Sequence, residues 1–384
     1  MKQIYLFIIA YFVCNLGLFA QTSPFVSRVI EYQPAPGQFI NTTDWGSPSA
    51  AQSVIGGTSG GVSLGAYGGY IVLGFDHSVV NSPDNPYGVD FTIFGNAFTG
   101  WAEPGIVYVM KDVNNNGEAD DTWYQLKGSD YTNPSTIVNY SVLYYNPGGY
   151  ADVPWRDNLN RRGAVLINEY HTQPYYPSAD SFPGINPTYQ LYSGTLIEGD
   201  IDDSNPSYIQ SFALDYGYAD NHPKQNGDPE TQPDNPSTTN VIEGAGGDAM
   251  KIEWAVDGQG NPVTLDEIDF VKIHTGLNRM CGWLGEISTE ICGVVDVAPP
   301  SVQQAVQLIT SKQPIQEKEV HQVSVYPPLS KALTGGYNIY TIAGNKVLTV
   351  SNLTDSQLTT LDKGIYQAIP LEADNLKNYK IIIE

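Results

Sequence analysis

The sequence predicts an all-β protein, an antiparallel β-sandwich of jelly-roll type. Three observations carry this. Many short segments alternate apolar and polar residues with period two, as 89–94, 137–145 and 268–274 do. No stretch shows a sustained helical apolar period. The 38 Gly, 26 Pro and 26 Tyr supply shaped turns between strands and broad aromatic surfaces.

Along the chain, residues 1–20 have the features of a secretory signal: Lys2, a mostly apolar run interrupted by Asn15, and a small residue, Ala20, before the expected cut. The run is too short for a membrane anchor, and no other stretch is long and apolar enough to span a bilayer. Residues 21–298 form the expected β-sandwich ligand-binding body. Strands are predicted near 26–32, 70–75, 89–94, 106–110, 122–126, 137–145, 208–215, 250–257 and 268–274. The segment 41–61 reads as loop. The Tyr- and Pro-rich stretch 170–192 reads as a long ordered surface loop or lid. Residues 299–322 change texture and read as a linker, and 323–384 as a small second β-domain.

Within the body, Asp112-x-Asn114-x-Asn116-Gly117-x-x-Asp120-Asp121 places oxygen side chains at alternate positions, then a turn glycine, then carboxylates. This spacing suits a loop that wraps a hard cation. Asp112, Asn114, Asn116, the Glu118 carbonyl, Asp120 and Asp121 are the expected ligands of a structural Ca²⁺. Trp123 stands where an EF-hand has its bidentate glutamate, and the flanks read as strands, so a metal-pinned β-hairpin is expected. The alternative is a hairpin loop held by Asn, Asp and Gly alone.

The charge balance, 18 Lys+Arg against 41 Asp+Glu for a net −23, excludes nucleic acid as a partner. No phosphate loop or zinc-spaced His pair is present. Carboxylates such as Glu103, Asp215, Asp220, Asp257 and Glu286 abound, but sequence alone places no two of them face to face. No catalytic residue is assigned, and binding is favoured over catalysis. The aromatic candidates for ligand contact are Trp101, Trp155, Tyr175, Tyr176 and Trp283. Residues 154–163 hold the only local concentration of basic charge. The mature chain retains two cysteines, and an oxidising compartment favours a Cys281–Cys292 disulfide.

Two resemblances sharpen these expectations. Tyr326-Pro-Pro, 339–347, Leu361-x-x-Gly364-Ile-Tyr and the closing 379–383 resemble the C-terminal sorting domain of the type IX secretion pathway of Bacteroidota. The chain has Tyr-Pro-Pro-Leu where such tails carry Tyr-Pro-Asn-Pro. The body resembles a family of Bacteroidota cell-surface proteins. The matching motifs are Ser63-Leu-Gly-x-x-Gly-Gly, 88–96, Glu103-Pro-Gly-Ile-Val with the metal loop, Tyr218-Ala-Asp-Asn, Ile268-Asp-Phe-Val-Lys and Cys281-Gly-Trp-Leu-Gly-Glu-x-Ser-Thr-Glu290. That resemblance implies an exported protein, secreted or held on the outer surface, that accompanies outer-membrane TonB-dependent receptors, including those for vitamin B12. The expected function is capture of a small nutrient such as a cobamide. The alternatives are a glycan-binding or glycan-cleaving protein and a structural adhesion module.

Overall fold

The computed structural model describes residues 23–239, 241–282 and 285–299, and the strands within 323–383. The protein is nearly all β, built from several antiparallel sheets in a sandwich-like arrangement, with no closed barrel. The chain divides into two compact units, Met1–Gln307 and Leu308–Glu384. The signal and most of the linker, residues 1–20 and 300–322, lie outside the described residues, as does Trp283.

In chain order the body's strands are β1 (Arg28–Gln33), β2 (Val62–Ser63), β3 (Tyr70–Val80), β4 (Phe91–Phe94), β5 (Gly105–Met110) and β6 (Tyr124–Leu126). Then come β7 (Ile137–Tyr145), β8 (Val153–Asp157), β9 (Arg162–Val165), β10 (Tyr189–Leu196), β11 (Asp200–Asp202) and β12 (Gln210–Phe212). The last six are β13 (Tyr218–Ala219), β14 (Asp248–Met250), β15 (Ala255–Val256), β16 (Glu267–Thr275), β17 (Glu290–Ile291) and β18 (Gly293–Asp296). A seven-stranded sheet runs β1-β3-β16-β5-β6-β15, with β13 also on β5. Smaller sheets are β14-β4-β18, β10-β7-β8-β9, β11-β12 and β17-β2.

β16 shows how the layers form. Its side chains alternate between faces. Val271 and Ile273 join Ile71 and Leu73 of β3, Val107 and Val109 of β5, Phe91 and Ile93 of β4, and Val294 of β18 in an aliphatic core. The opposite face carries Phe270, Lys272 and His274. Lys272 Nζ lies 4.1 Å from the centre of the Tyr70 ring, and His274 meets Tyr67 edge-on at 5.7 Å. β10 crosses so near this face that a Cβ on Gly194 would fall 2.4 Å from His274 Nε2. The β10-β7-β8-β9 sheet is therefore a third layer, with a tyrosine-rich core of its own: Tyr67, Tyr140, Tyr144, Tyr175, Tyr176 and Tyr192. A buried phenol needs a hydrogen-bond partner. Here Tyr144 donates to the Tyr67 carbonyl at 3.1 Å, and Tyr176 to that of Asn186 at 2.7 Å.

That layer corrects the reading of 170–192. Tyr175, Tyr176 and Phe182 are almost fully buried, so the two tyrosines are core residues and not ligand contacts. Tyrosine rings whose hydroxyls find backbone partners stand in for the aliphatics this stretch lacks. The disulfide is also corrected: Cys281 and Cys292 are free and buried. Cys281 packs with Leu214, Leu277 and Ile287, while Cys292 packs with Phe94, Ala245 and Val295. Two separate apolar clusters hold the thiols, and burial raises both thiol pKa values, to about 11 for Cys281 and about 12 for Cys292.

Local departures have local causes. The alternation over 250–257 is interrupted by a 3₁₀ turn, Ile252–Trp254, whose first N–H donates to Asp90 at 2.8 Å. The loop 41–61 contains a short helix, Pro48–Gln52, capped by Ser47 Oγ accepting the Ala50 N–H. The strand expected over 208–215 is only β12. In the second unit, β19 (Val323–Tyr326), β20 (Leu333–Thr341), β21 (Lys346–Leu353), β22 (Gly364–Pro370) and β23 (Tyr379–Ile383) form one antiparallel sheet, β19-β23-β22-β20-β21.

Candidate functional site

Three motifs far apart in sequence converge at one end of the central sheet. The first is the segment before β5. Gly100 takes a positive φ of 79°, turning the chain so that Trp101 N–H bonds the Phe98 carbonyl at 2.8 Å. Ala102 N–H then donates to Ser211 O and Glu103 N–H to Asp220 O, both at 2.9 Å, which fixes Glu103 where β5 begins. The second motif leaves β13 at Asp220, a non-glycine residue at φ 54°. Its carboxylate holds that conformation: Oδ1 accepts the N–H groups of Asn96 and Ala97 at 2.8 and 2.9 Å, and Oδ2 that of Glu290 at 2.8 Å. Gly95 is required beside it, because a Cβ there would lie 2.2 Å from Asp220 Oδ1. The third is the run into β17. Ser288 N–H donates to Glu103 Oε1 at 2.9 Å, and Thr289 Oγ1 to the Glu103 carbonyl at 2.8 Å.

The result is a buried acidic cluster. Ligand atoms of Glu103, Asp220 and Glu290 lie within 4.8 Å of one another, the one such group of three or more His, Cys, Asp or Glu among the described residues. Glu103 and Glu290 are within hydrogen-bonding reach of each other. Burial, with the neighbouring acids adding to it, pushes Glu103 up to about 8 and holds Asp220 and Glu290 well above the usual carboxylate range. Glu286 stands close by. Its Oε1 accepts Gln38 N–H at 2.7 Å, and burial raises it to about 8. No donor reaches Glu286 Oε2 or Glu290 Oε1.

Above the cluster opens a cleft of about 340 Å³. Phe39, Phe98, Trp101, Tyr170 and His171 wall it, and Glu103, Ser288 and Glu290 lie at its floor. Phe98 is 59% and Tyr170 73% exposed, unusual for large aromatic rings. The buried Ser211 hydroxyl also lines the cleft and has no hydrogen-bond partner. No family model and no curated protein matches this chain.

Among the described residues expected to contact a ligand, the structure places only Trp101 in this cleft. Trp155 lies in β8, half-buried against the tyrosine core, and edges a different cleft with Arg161, Arg162 and Arg279. Arg161 there is bound to the buried Asp157, which also accepts the Tyr140 hydroxyl at 2.9 Å.

The 112–121 loop closes the β5–β6 hairpin, in which Tyr108 pairs Gln125 and Val109 pairs Tyr124. Its oxygens are engaged by its own backbone. Asp112 accepts the N–H groups of Asn116 and Gly117 at 3.1 and 2.7 Å, Asn114 that of Asn116 at 2.9 Å, Asn116 that of Glu118 at 2.8 Å, and Asp121 that of Val113 at 2.8 Å. Asn116 Nδ2 donates to both oxygens of Asp120, at 3.3 and 3.1 Å. The donor set is of hard-cation type, and all of it comes from one exposed turn.

The acidic cluster is what sequence reasoning did not assemble. The usable signal was that three of the motifs carrying the family resemblance contain Glu103, Asp220 and Glu290 in turn.

Proposed function

We propose that the body is a ligand-capturing protein of the outer cell surface, and that the cleft over Glu103 and Glu290 is where it binds. The observation that supports this is the pairing of partly exposed aromatic walls with a polar floor in a cleft of about 340 Å³, the usual form of a small-molecule site. Flat rings and the apolar faces of sugars both suit such walls. The nutrient we favour is of the cobamide class, which is larger than the cleft and would seat only one end in it. A glycan unit is the competing ligand. Export by the signal-like start, delivery by the sorting-like tail and partnership with a TonB-dependent receptor belong to the same proposal, resting on the motif resemblance. A Ca²⁺ in the 112–121 loop would stiffen the hairpin, with Asp112, Asn114, Asn116, the Glu118 carbonyl, Asp120 and Asp121 as its oxygen donors.

Binding is favoured over glycan cleavage by the spacing of the acids. A glycosidase pair flanks the scissile bond at about 5–5.5 Å or about 6.5–9.5 Å. Glu103 and Glu290 lie within hydrogen-bonding reach of each other, which leaves no room for a sugar between them. Titration of the full chain with cyanocobalamin and with a glycan panel, followed by product analysis, tests the proposal. Saturable binding weakened by Trp101→Ala supports it. Released oligosaccharide, or silence towards every ligand, overturns it.

A further inference from the structure

We propose that Glu103, Asp220 and Glu290 form a site for a hard divalent cation at the floor of the cleft, separate from the 112–121 loop. Ligand atoms from all three residues fall within 4.8 Å of one another. Oxygens on opposite sides of a cation at about 2.4 Å lie about 4.8 Å apart, so one ion reaches all three carboxylates. The donors are all carboxylate oxygens, the set that suits Ca²⁺, Mg²⁺ or Mn²⁺ and not a soft metal.

A cluster of acids alone would not make a site. The second observation is the state of its atoms. Glu290 is 2% exposed, and no N–H or O–H reaches its Oε1. Glu286, also 2% exposed and close enough to act on the charge of Glu103, has the same deficit at Oε2. Buried polar atoms are normally paired, and an orphaned carboxylate oxygen in the cluster, with a second on neighbouring Glu286, calls for a partner that is a cation or a shared proton. Among the described residues, none of the three acids forms an ion pair with Lys, Arg or His. The cluster is also pre-shaped. Three backbone N–H groups lock Asp220, and Ser288 N–H orients Glu103, so little rearrangement is needed to receive an ion. Glu103 and Glu290 line the cleft, which gives an ion its way in. The inference does not depend on which ligand the cleft takes.

The test uses the full chain stripped with chelator. Ca²⁺, Mg²⁺ and Mn²⁺ are titrated by calorimetry, with Tb³⁺ emission excited through tryptophan as a second readout. The wild type is compared with Glu290→Gln and with a loop variant carrying Asp112→Asn, Asp120→Asn and Asp121→Asn. The expected result is one equivalent of cation that Glu290→Gln binds at least tenfold more weakly and that the loop variant retains. Where Glu290→Gln does not fold by circular dichroism, Glu103→Gln gives the same comparison, since its amide oxygen still accepts from Ser288. The proposal is overturned if every bound equivalent vanishes with the loop variant. It is equally overturned if the wild type binds none, whatever Glu290→Gln does to the melting temperature in chelator, or if Glu290→Gln binds as tightly as the wild type.

Discussion

The body has two acidic centres of opposite construction. The 112–121 loop draws its oxygens from ten consecutive residues, stays at the surface and satisfies them with its own amides. The 103–220–290 cluster draws one carboxylate from each of three distant segments, buries Asp220 and Glu290 and half-buries Glu103, and leaves one oxygen without a donor. In the loop, water and local N–H groups solvate the charge at little cost. In the cluster, desolvation is severe, and the fold keeps the acids in place through Asp220's three amide contacts. Removing a side chain should therefore be mild in one centre and severe in the other.

The sharpest break of that contrast is Asp220→Ala. The buried N–H groups of Ala97 and Glu290 lose their acceptor at about 1–3 kcal/mol each, and the part-buried one of Asn96 loses it too, so urea denaturation should show a loss of at least about 2 kcal/mol. Asp112→Ala, measured without calcium, should cost about 1 kcal/mol. Comparable losses for the two would end the distinction. Next comes Gly95→Ala, which changes no acid but drives a Cβ into Asp220 Oδ1, with an expected cost of about 1–3 kcal/mol. Third, Trp101→Ala should weaken capture of the cleft's ligand by about tenfold or more, as truncation of an aromatic anchor does. Trp155→Ala should leave affinity unchanged and lower the melting temperature, since that ring packs on the tyrosine core.

A smaller effect comes from His77, whose ring nitrogens meet Asp76 at 2.7 Å and the buried Asp296 at 2.8 Å. Burial works to lower its pKa, but these two carboxylates outweigh it and the net shift is upward. A His pKa raised by folding adds stability that is fully present below the unfolded value of about 6.5 and lost as pH rises through the folded value. Wild-type stability should thus fall more steeply above pH 6.5 than that of His77→Gln in melts from pH 5 to 9. Smallest of all, a reductant should leave the melting curve unchanged, because Cys281 and Cys292 are free.

Much of the fold was legible in the residues, for reasons the two centres also illustrate. β7 was read with its bounds, and β3, β5 and β16 to within a few residues at most ends, because each alternates or runs apolar long enough to declare a period. The loop was legible because its spacing is local. The cluster was not. Glu103 and Glu290 lie 187 positions apart, and only the pairing of β13 with β5 and the hydrogen bonds of Ser288 and Thr289 bring them together. Tyr175 and Tyr176 misled for a different reason: their rings look like surface contacts until backbone carbonyls and amides inside the third layer satisfy their hydroxyls.

The position of β16 has a consequence for how the body is made. Its partners β3 and β5 leave the ribosome early, at 70–80 and 105–110, yet β16 fills the gap between them only at 267–275. Until then both partners present a free edge to their neighbours. A growing chain, or a fragment ending before residue 267, has two sticky borders and no way to seal them. The central sheet is complete only once nearly the whole length of the body has been made.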